Sequence, residues 1–432
     1  MACHWLSYLH AYSWSTGFLG KTFLKHGVSR NLCKSYVINF SSAIHVKGVS
    51  KLSFSSERNI ISFRDVSSGS NVDTSLESVQ GNGQRVFPHS VDPNVSEVSK
   101  DVSNGRVMLI DGTAVIYRAY YKLLAKLHHG YLSNADGNGD WVLTIFAALS
   151  LIIDVLEFKP SHVAVVFDHI GMGDSTISSK ESVMFKGRNF RHTMYPQYKS
   201  NRGPTPDTVV QGLQYLKASI KAMSIKVLEV PGVEADDVIG TLALRSVEGG
   251  YKVRVVSPDK DFFQLLSPSL RLLRTASRGD EMVSFGLEDF AKRYGTLTPS
   301  QFVDVVALVG DKSDNIPGVT GIGEVNAVQL ITEYGSLEEL LSNVDRVKQG
   351  HIKEALISSV DLARLSKELA MLRDLPHYIV PFATTDLIFR KPEDDGEKFT
   401  ALLNAISAYA EGFSADPIIR KALYLWKNLD NQ

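Results

Sequence analysis

The chain has 432 residues, enough at roughly 150 residues per domain for about three folded units, so a small disulfide scaffold is excluded. Lys and Arg (46) nearly balance Asp and Glu (47) for a net charge of −1, so any polyanionic partner must be held by local patches or by metal rather than by a global basic field. The two cysteines, Cys3 and Cys33, lie near the N-terminus, which argues against a disulfide framework, a cysteine zinc site or a catalytic thiol in the rest of the chain.

Residues 1–56 carry no Asp or Glu, while Lys21, Lys25, Arg30, Lys34, Lys47 and Lys51 give +6 and eleven serines are scattered through. A serine-rich, acid-free leader whose first charge comes only at Lys21 reads as an organellar transit peptide, mitochondrial or chloroplast, and not as a secretory signal. Residues 57–104 mix Ser, Asn, Val and Asp with only two aromatics, Phe63 and Phe87, the composition of a disordered linker. The longest uncharged apolar stretch beyond them, Trp141 to Ile153, has thirteen residues against the ~20 that cross a bilayer, so no membrane association is expected.

The folded region opens on the apolar run Val107–Ile110, which ends in Asp111-Gly112-Thr113. The same arrangement recurs where Val163–Phe167 ends in Asp168 and where Val253–Val256 leads through Ser257-Pro258 to Asp259. Continuous β-branched runs predict buried parallel strands. Helical patterns over 142–157 and 209–223 separate them, so the order is βαβα and the fold class is α/β with a doubly wound, mainly parallel sheet. Ligands of such sheets bind beyond the carboxyl ends of the strands, where Asp111, Asp168 and Asp259 all emerge.

Further acids cluster nearby in sequence: Glu234, Asp236 and Asp237 open a helix, and Asp261 follows Asp259. First-turn acids also serve as ordinary helix caps. A convergent set, however, would repel itself and raise its own pKa values unless divalent cations neutralised it, and hard oxygen ligands suit Mg²⁺ or Mn²⁺. The reading is a two-metal site. Between Glu181 and Asp207 there is no acid, and Lys186, Arg188, Arg191, Lys199 and Arg202 interleave with Phe185, Phe190, Tyr195 and Tyr198, a pattern suited to a nucleic-acid strand as well as to a solvated basic loop. Farther on, Gly310–Gly323 contains Asp311 and Asp314 and ends in Gly321-Ile322-Gly323 ahead of a helical run from Val325. Such a turn can grip phosphate through backbone N–H groups without reading bases.

These motifs together resemble the 5′ nucleases related to the flap endonucleases, of the kind found as the 5′→3′ exonuclease domain of bacterial DNA polymerase I, and among them most the plant organellar 5′→3′ exonucleases. The resemblance runs over about 105–375, through LIDGTAVIYRAYY at 109–121, VVFD at 165–168, FRHTMYPQYKSNR at 190–202, VEADDVIG at 233–240, PDKDFFQLL at 258–266 and GDKSDNIPGVTGIG at 310–323. It implies a PIN-like catalytic domain over 105–295, a helix-hairpin-helix (H3TH) DNA-binding domain over 296–375 and a C-terminal helical cap over 376–432. It also implies that Asp111, Asp168, Glu234, Asp236 and Asp237 surround a first metal and Asp259, Asp261, Asp311 and Asp314 a second. Lys199 and Arg202 match basic residues beside the scissile phosphate, joining Asp111, Asp168 and Asp259 as the catalytic set. Arg191, Tyr198, Lys199, Arg202, Gly321 and Gly323 are the expected DNA contacts, and the glycine turn in relatives can coordinate K⁺.

The expected activity is metal-dependent 5′→3′ exonucleolytic and flap-endonucleolytic hydrolysis of DNA leaving 5′-phosphates, by a monomer acting on 5′ ends, flaps and nicks, with RNA primer strands as further candidates. His169–Gly187 reads as an insertion relative to the family. Three other readings stand beside this one. An aspartate phosphatase would need DxDGT, and its nucleophile position here is Leu109. The others are a non-catalytic DNA-structure-binding protein and a nuclease acting mainly on RNA.

Overall fold

The computed structural model describes residues 105–129, 139–169, 189–276 and 281–429. The leader, the linker, the basic residues Lys186 and Arg188, and the insertion beyond His169 lie outside the described residues.

Six strands form one sheet in the order β3-β2-β1-β4-β5-β6. They are β1 (Arg106–Asp111), β2 (His162–Val166), β3 (Lys226–Leu228), β4 (Lys252–Val256), β5 (Leu270–Thr275) and β6 (Met282–Phe285). All pairs are parallel except β5 with β6. The chain proceeds outward from β1 to β2 and β3, then returns to the other side of β1 for β4. The topological switch point therefore falls between the carboxyl ends of β1 and β4, the place where an open α/β sheet leaves a crevice.

Strand alternation divides the core in two. Val107 and Leu109 face one way, into a cluster with Val253, Val255, Leu270 and Leu272; Met108 and Ile110 face the other, with Val163 and Val165. Helices α1 (Gly112–His128), α2 (Asp140–Leu156) and α4 (Asp207–Ala222) cover the second face, and α3 (Phe190–Met194) is a single short turn between them in sequence. The apolar-all-round character of α2 has a simple cause: it packs against α1, α4 and a C-terminal helix at once. Helix α5 (Ala235–Glu248) covers the first face.

Asp168 stands two residues past β2 and Asp259 three past β4, in the loops where ligands bind. After α6 (Leu287–Tyr294) come α7 (Phe302–Val309), α8 (Glu324–Tyr334), α9 (Leu337–Ser342), α10 (Gly350–Ser358) and α11 (Val360–Ala370). The connection from α7 to α8 folds back on itself: Asp311 and Ile316 exchange both backbone hydrogen bonds, at 3.0 and 2.7 Å, so Asp311 and Asp314 sit on a small hairpin and not on a helix.

That hairpin depends on Gly310 and Gly318, both at positive φ; a Cβ on Gly318 would lie 2.4 Å from the Gly310 nitrogen. Gly318→Ala is expected to lower stability by about 2–3 kcal/mol, read from the urea midpoint, because both the backbone conformation and the close approach are lost. An unchanged midpoint would show that the hairpin can spread to admit a methyl group.

Residues 376–432, expected as a C-terminal helical cap, return to the sheet. Residues 369–384 run along α5 and are held by it: Arg245 donates to the carbonyls of Leu375 and Val380, each at 2.6 Å, and the Leu375 N–H donates to Thr241 at 3.0 Å. Ile388 then pairs with His162 of β2. Helices α12 (Glu397–Ser407) and α13 (Asp416–Leu429) pack on α4 and α2, burying Phe399, Leu403, Ile406 and Trp426 in the second core cluster. No helix among the described residues is long and apolar enough to cross a membrane.

Candidate active site

Asp111 ends β1 and caps α1, accepting from the Ala114 N–H at 2.8 Å and from the Ser257 hydroxyl at 2.9 Å. It is buried, and burial pushes its carboxyl up to about 7, with the charges of Asp168 and Asp259 adding to the effect. Asp168 accepts from the Ala235 N–H at 2.8 Å, so β2 caps α5 from a distance, and its own N–H donates to Thr113. Asp236, in the first turn of α5, is raised well above the ordinary carboxylate range by burial and then by Asp111 and Asp259. Asp259 and Asp261 are likewise raised, by burial and by neighbouring carboxylates, and the Asp261 N–H donates to Asp259 at 2.9 Å. Four acids from three segments thus share one crevice, each holding its proton more tightly than usual.

Across from them, two stretches more than a hundred residues apart in sequence are joined. Asn201 donates to the Lys312 carbonyl at 2.6 Å, Asn315 to the Gln197 carbonyl at 2.7 Å, and the Lys199 N–H to the Asp314 carbonyl at 2.9 Å. Lys199 is one of the few non-glycine residues at positive φ (54°). Its ammonium lies 2.6 Å from Glu234 and 3.5 Å from Asp314. Burial alone would lower its pKa, but Glu234 and Asp314 outweigh that and hold it above the usual lysine value. Glu234 responds in kind: burial works to raise its carboxyl, and Lys199 and Arg191 bring it below normal. Arg202 pairs with Asp314 while keeping about half its side chain (53%) exposed. Asp311 is held below its usual value, against its burial, by the Ser313 hydroxyl and N–H and by Lys260 at 3.2 Å.

Three expected roles need correction. Arg191, expected to touch DNA, is buried; it donates bidentately to Asp237 at 2.6 and 2.9 Å, to Glu234 at 2.8 Å, and to the carbonyls of Leu369 and Met371, each at 2.9 Å. Asp237, expected to ligate metal, has both oxygens committed to Arg191, and one of them also takes the Arg373 N–H at 3.0 Å. Tyr198, expected as a DNA contact, is also buried, its hydroxyl donating to Asp314 at 3.0 Å. A basic, aromatic sequence looks the same whether its side chains face a ligand or close on acids inside the fold. Gly323 caps α8, and a Cβ on Gly321 or Gly323 would meet open space.

Sequence reasoning passed over Thr113, Ser257, Lys260 and Arg373. The acids that Ser257 and Lys260 meet, Asp111 and Asp311, lie far from them in sequence, so no local pattern announced either contact.

Among the described residues, no three His, Cys, Asp or Glu side chains stand as a closed cage around one point. The donor chemistry nevertheless suits hard divalent cations, since Asp111, Asp236, Asp259 and Asp261 offer carboxylate oxygens whose charge neighbouring carboxylates oppose.

Residues 106–295 match the model of the 5′-3′ exonuclease N-terminal resolvase-like domain, and residues 297–395 match that of the 5′-3′ exonuclease C-terminal SAM fold. The chain belongs to the 5′-3′ exonuclease family. This family member is 35% identical over 305 residues to DNA polymerase I of Bacillus caldotenax, an alignment covering 70% of this chain and 31% of that protein. It is 38% identical over 274 residues to the thermostable DNA polymerase I of Thermus thermophilus, covering 63% and 29%. The chain thus spans under a third of the length of these curated relatives. Among solved structures, the T5 D15 protein co-crystallised with metal ions is 21% identical with a TM-score of 0.48, covering 71% of this chain and 100% of that one. The catalytic core of Rad2 in complex with DNA substrate is 16% identical with a TM-score of 0.48, covering 75% and 93%.

Proposed function

We propose that this exonuclease-family chain hydrolyses DNA phosphodiesters at 5′ ends and flaps, leaving 5′-phosphates. The observation that carries the reading is the crevice itself, where Asp111, Asp236, Asp259 and Asp261 crowd together and Lys199 stands over them. Asp111, Asp168, Asp236, Asp259 and Asp261 would hold Mg²⁺ or Mn²⁺, with Glu234, Asp311 and Asp314 at the margin. Such cations, when bound, supply Lewis-acid polarisation and neutralise charge on the phosphate.

The remaining work falls to the chain's own groups. Lys199 places a permanent positive charge where the attacked phosphate accumulates negative charge. Arg202, half exposed beside it, can hold the adjoining phosphate. The backbone N–H groups at the start of α8, reached through Gly321 and Gly323, suit a duplex phosphate on the far side and, by their carbonyls, K⁺. Contacts of this kind read backbone, so affinity should depend on salt and little on sequence. The composition of residues 1–56 supports import into a mitochondrion or chloroplast, and the chain is read as acting as a monomer.

The test is cleavage by the full chain of 5′-labelled flap, nicked and single-stranded DNA and matched RNA, in Mg²⁺ and in EDTA, beside Asp259→Ala. The expected result is metal-dependent release from DNA 5′ ends, lowered at least about 10²-fold in the variant. Tight binding of flaps without cleavage would leave a DNA-structure-binding protein. Preferential cleavage of RNA would move the substrate class.

A further inference from the structure

Arg191 makes five hydrogen bonds to four different groups, and none of them reaches the crevice directly. It instead grips the carboxylate that holds Lys199. The two oxygens of Glu234 are divided: Oε1 takes the Lys199 ammonium at 2.6 Å, and Oε2 takes Arg191 at 2.8 Å and the Tyr198 hydroxyl at 3.2 Å. A carboxylate held on one oxygen only can swing about its last torsion, whereas one held on both presents a fixed target to its partner.

The guanidinium is itself immobilised. Asp237 engages it bidentately, the Leu369 and Met371 carbonyls close its other donors, and the neighbouring Phe190 ring lies 4.6 Å from it with Arg373 on that ring at 3.4 Å. Lysine cannot reproduce this, because one ammonium cannot span a fork of four acceptor groups on two separate segments.

We propose that Arg191 is a positioning residue: by fixing Oε2 of Glu234 it sets the carboxylate against which Lys199 is aimed, and so places the Lys199 ammonium for the reaction. The inference rests on the nuclease reading above. Its consequence is that a residue buried away from the substrate controls turnover more than affinity. Misplacing a reacting group by about 1 Å can cost on the order of 10²-fold in rate.

The test compares wild type, Arg191→Lys and Asp237→Asn as full-length chains, each first checked for cooperative thermal unfolding. For flap DNA, kcat and KM are measured in Mg²⁺, and Kd for the same DNA is measured by anisotropy in EDTA. Arg191→Lys is expected to lose about 10²-fold in kcat with KM and Kd within about threefold of wild type. Asp237→Asn, which loosens the guanidinium without removing it, should fall between the two. In the background of Glu234→Gln, Arg191→Lys should add little further loss, because the two act through one carboxylate. Full wild-type turnover in a folded Arg191→Lys chain would overturn the proposal. So would a loss confined to KM and Kd, or full additivity with Glu234→Gln. If Arg191→Lys does not fold, Asp237→Asn decides by the same criteria. Absence of cleavage by the wild type would refute the nuclease reading instead, a result distinct from any of these.

Discussion

Lys199→Met should lower kcat on flap DNA by about 10²–10³-fold while changing the Kd measured in EDTA by less than about threefold. The reason lies in how the side chain is held. Its backbone is in the left-handed region, tied by its N–H to the Asp314 carbonyl, and its ammonium rests between Glu234 and Asp314. A non-glycine residue kept in that conformation has its side-chain direction fixed by the loop at some cost in strain, a pattern found where geometry matters to chemistry. Because Glu234 and Asp314 raise its pKa, Lys199 stays charged throughout the working range, and the rate should show no ionisation of this group below about pH 10. Loss of affinity with unchanged turnover would assign Lys199 to substrate holding instead.

The second large effect concerns stability in the absence of divalent cations. Asp111→Asn should abolish cleavage yet stabilise the metal-free protein at pH 8. With a carboxyl raised from 3.8 to about 7, the folded state keeps a proton that the unfolded chain releases. Stability of the wild type therefore falls as pH rises from about 4 to about 7 and then levels off, because the unfolded state binds fewer protons throughout that window. The difference amounts to at most roughly 4 kcal/mol, and the amide variant escapes it. Thermal unfolding in EDTA at pH 5 and pH 8 should show the variant gaining on the wild type more at the higher pH. Adding Mg²⁺ should then raise the wild-type midpoint and leave the variant nearly unmoved. A variant no more stable than wild type at pH 8 in EDTA would mean that the crevice relieves its repulsion by some other route.

Much of this architecture could be read from the chain. β1, β2 and β4 are continuous β-branched runs because both faces of the sheet are covered, and the acids after them stand out because charge follows abruptly on an apolar stretch. β5 and β6 were less legible: Arg271 and Arg274 interrupt the first, and Ser284 and the exposed Val283 the second, as befits the edge of the sheet. The crevice acids were legible as a set, whereas the role of each basic residue was not. Arg191 and Lys199 belong to the same motif, yet one is closed into the fold and the other faces the crevice. The difference is made by the Leu369 and Met371 carbonyls, about 180 positions away, and no local pattern announces them. Asp237 follows Asp236 directly, but the turn of the helix between them sends it toward Arg191.

The path of the last sixty residues also bears on how the molecule is made. Helices α12 and α13 seal α2 and α4, and Lys421 of α13 pairs with Asp154 of α2, 267 positions earlier. A nascent chain emerging from the ribosome therefore carries the apolar flank of its catalytic half uncovered until almost all the described residues have been synthesised. The helical half, made in between, can assemble from neighbouring segments, but the sheet must wait for its final layer. That flank is encoded early and covered late, so chaperone protection during synthesis should matter more for this half than for the other.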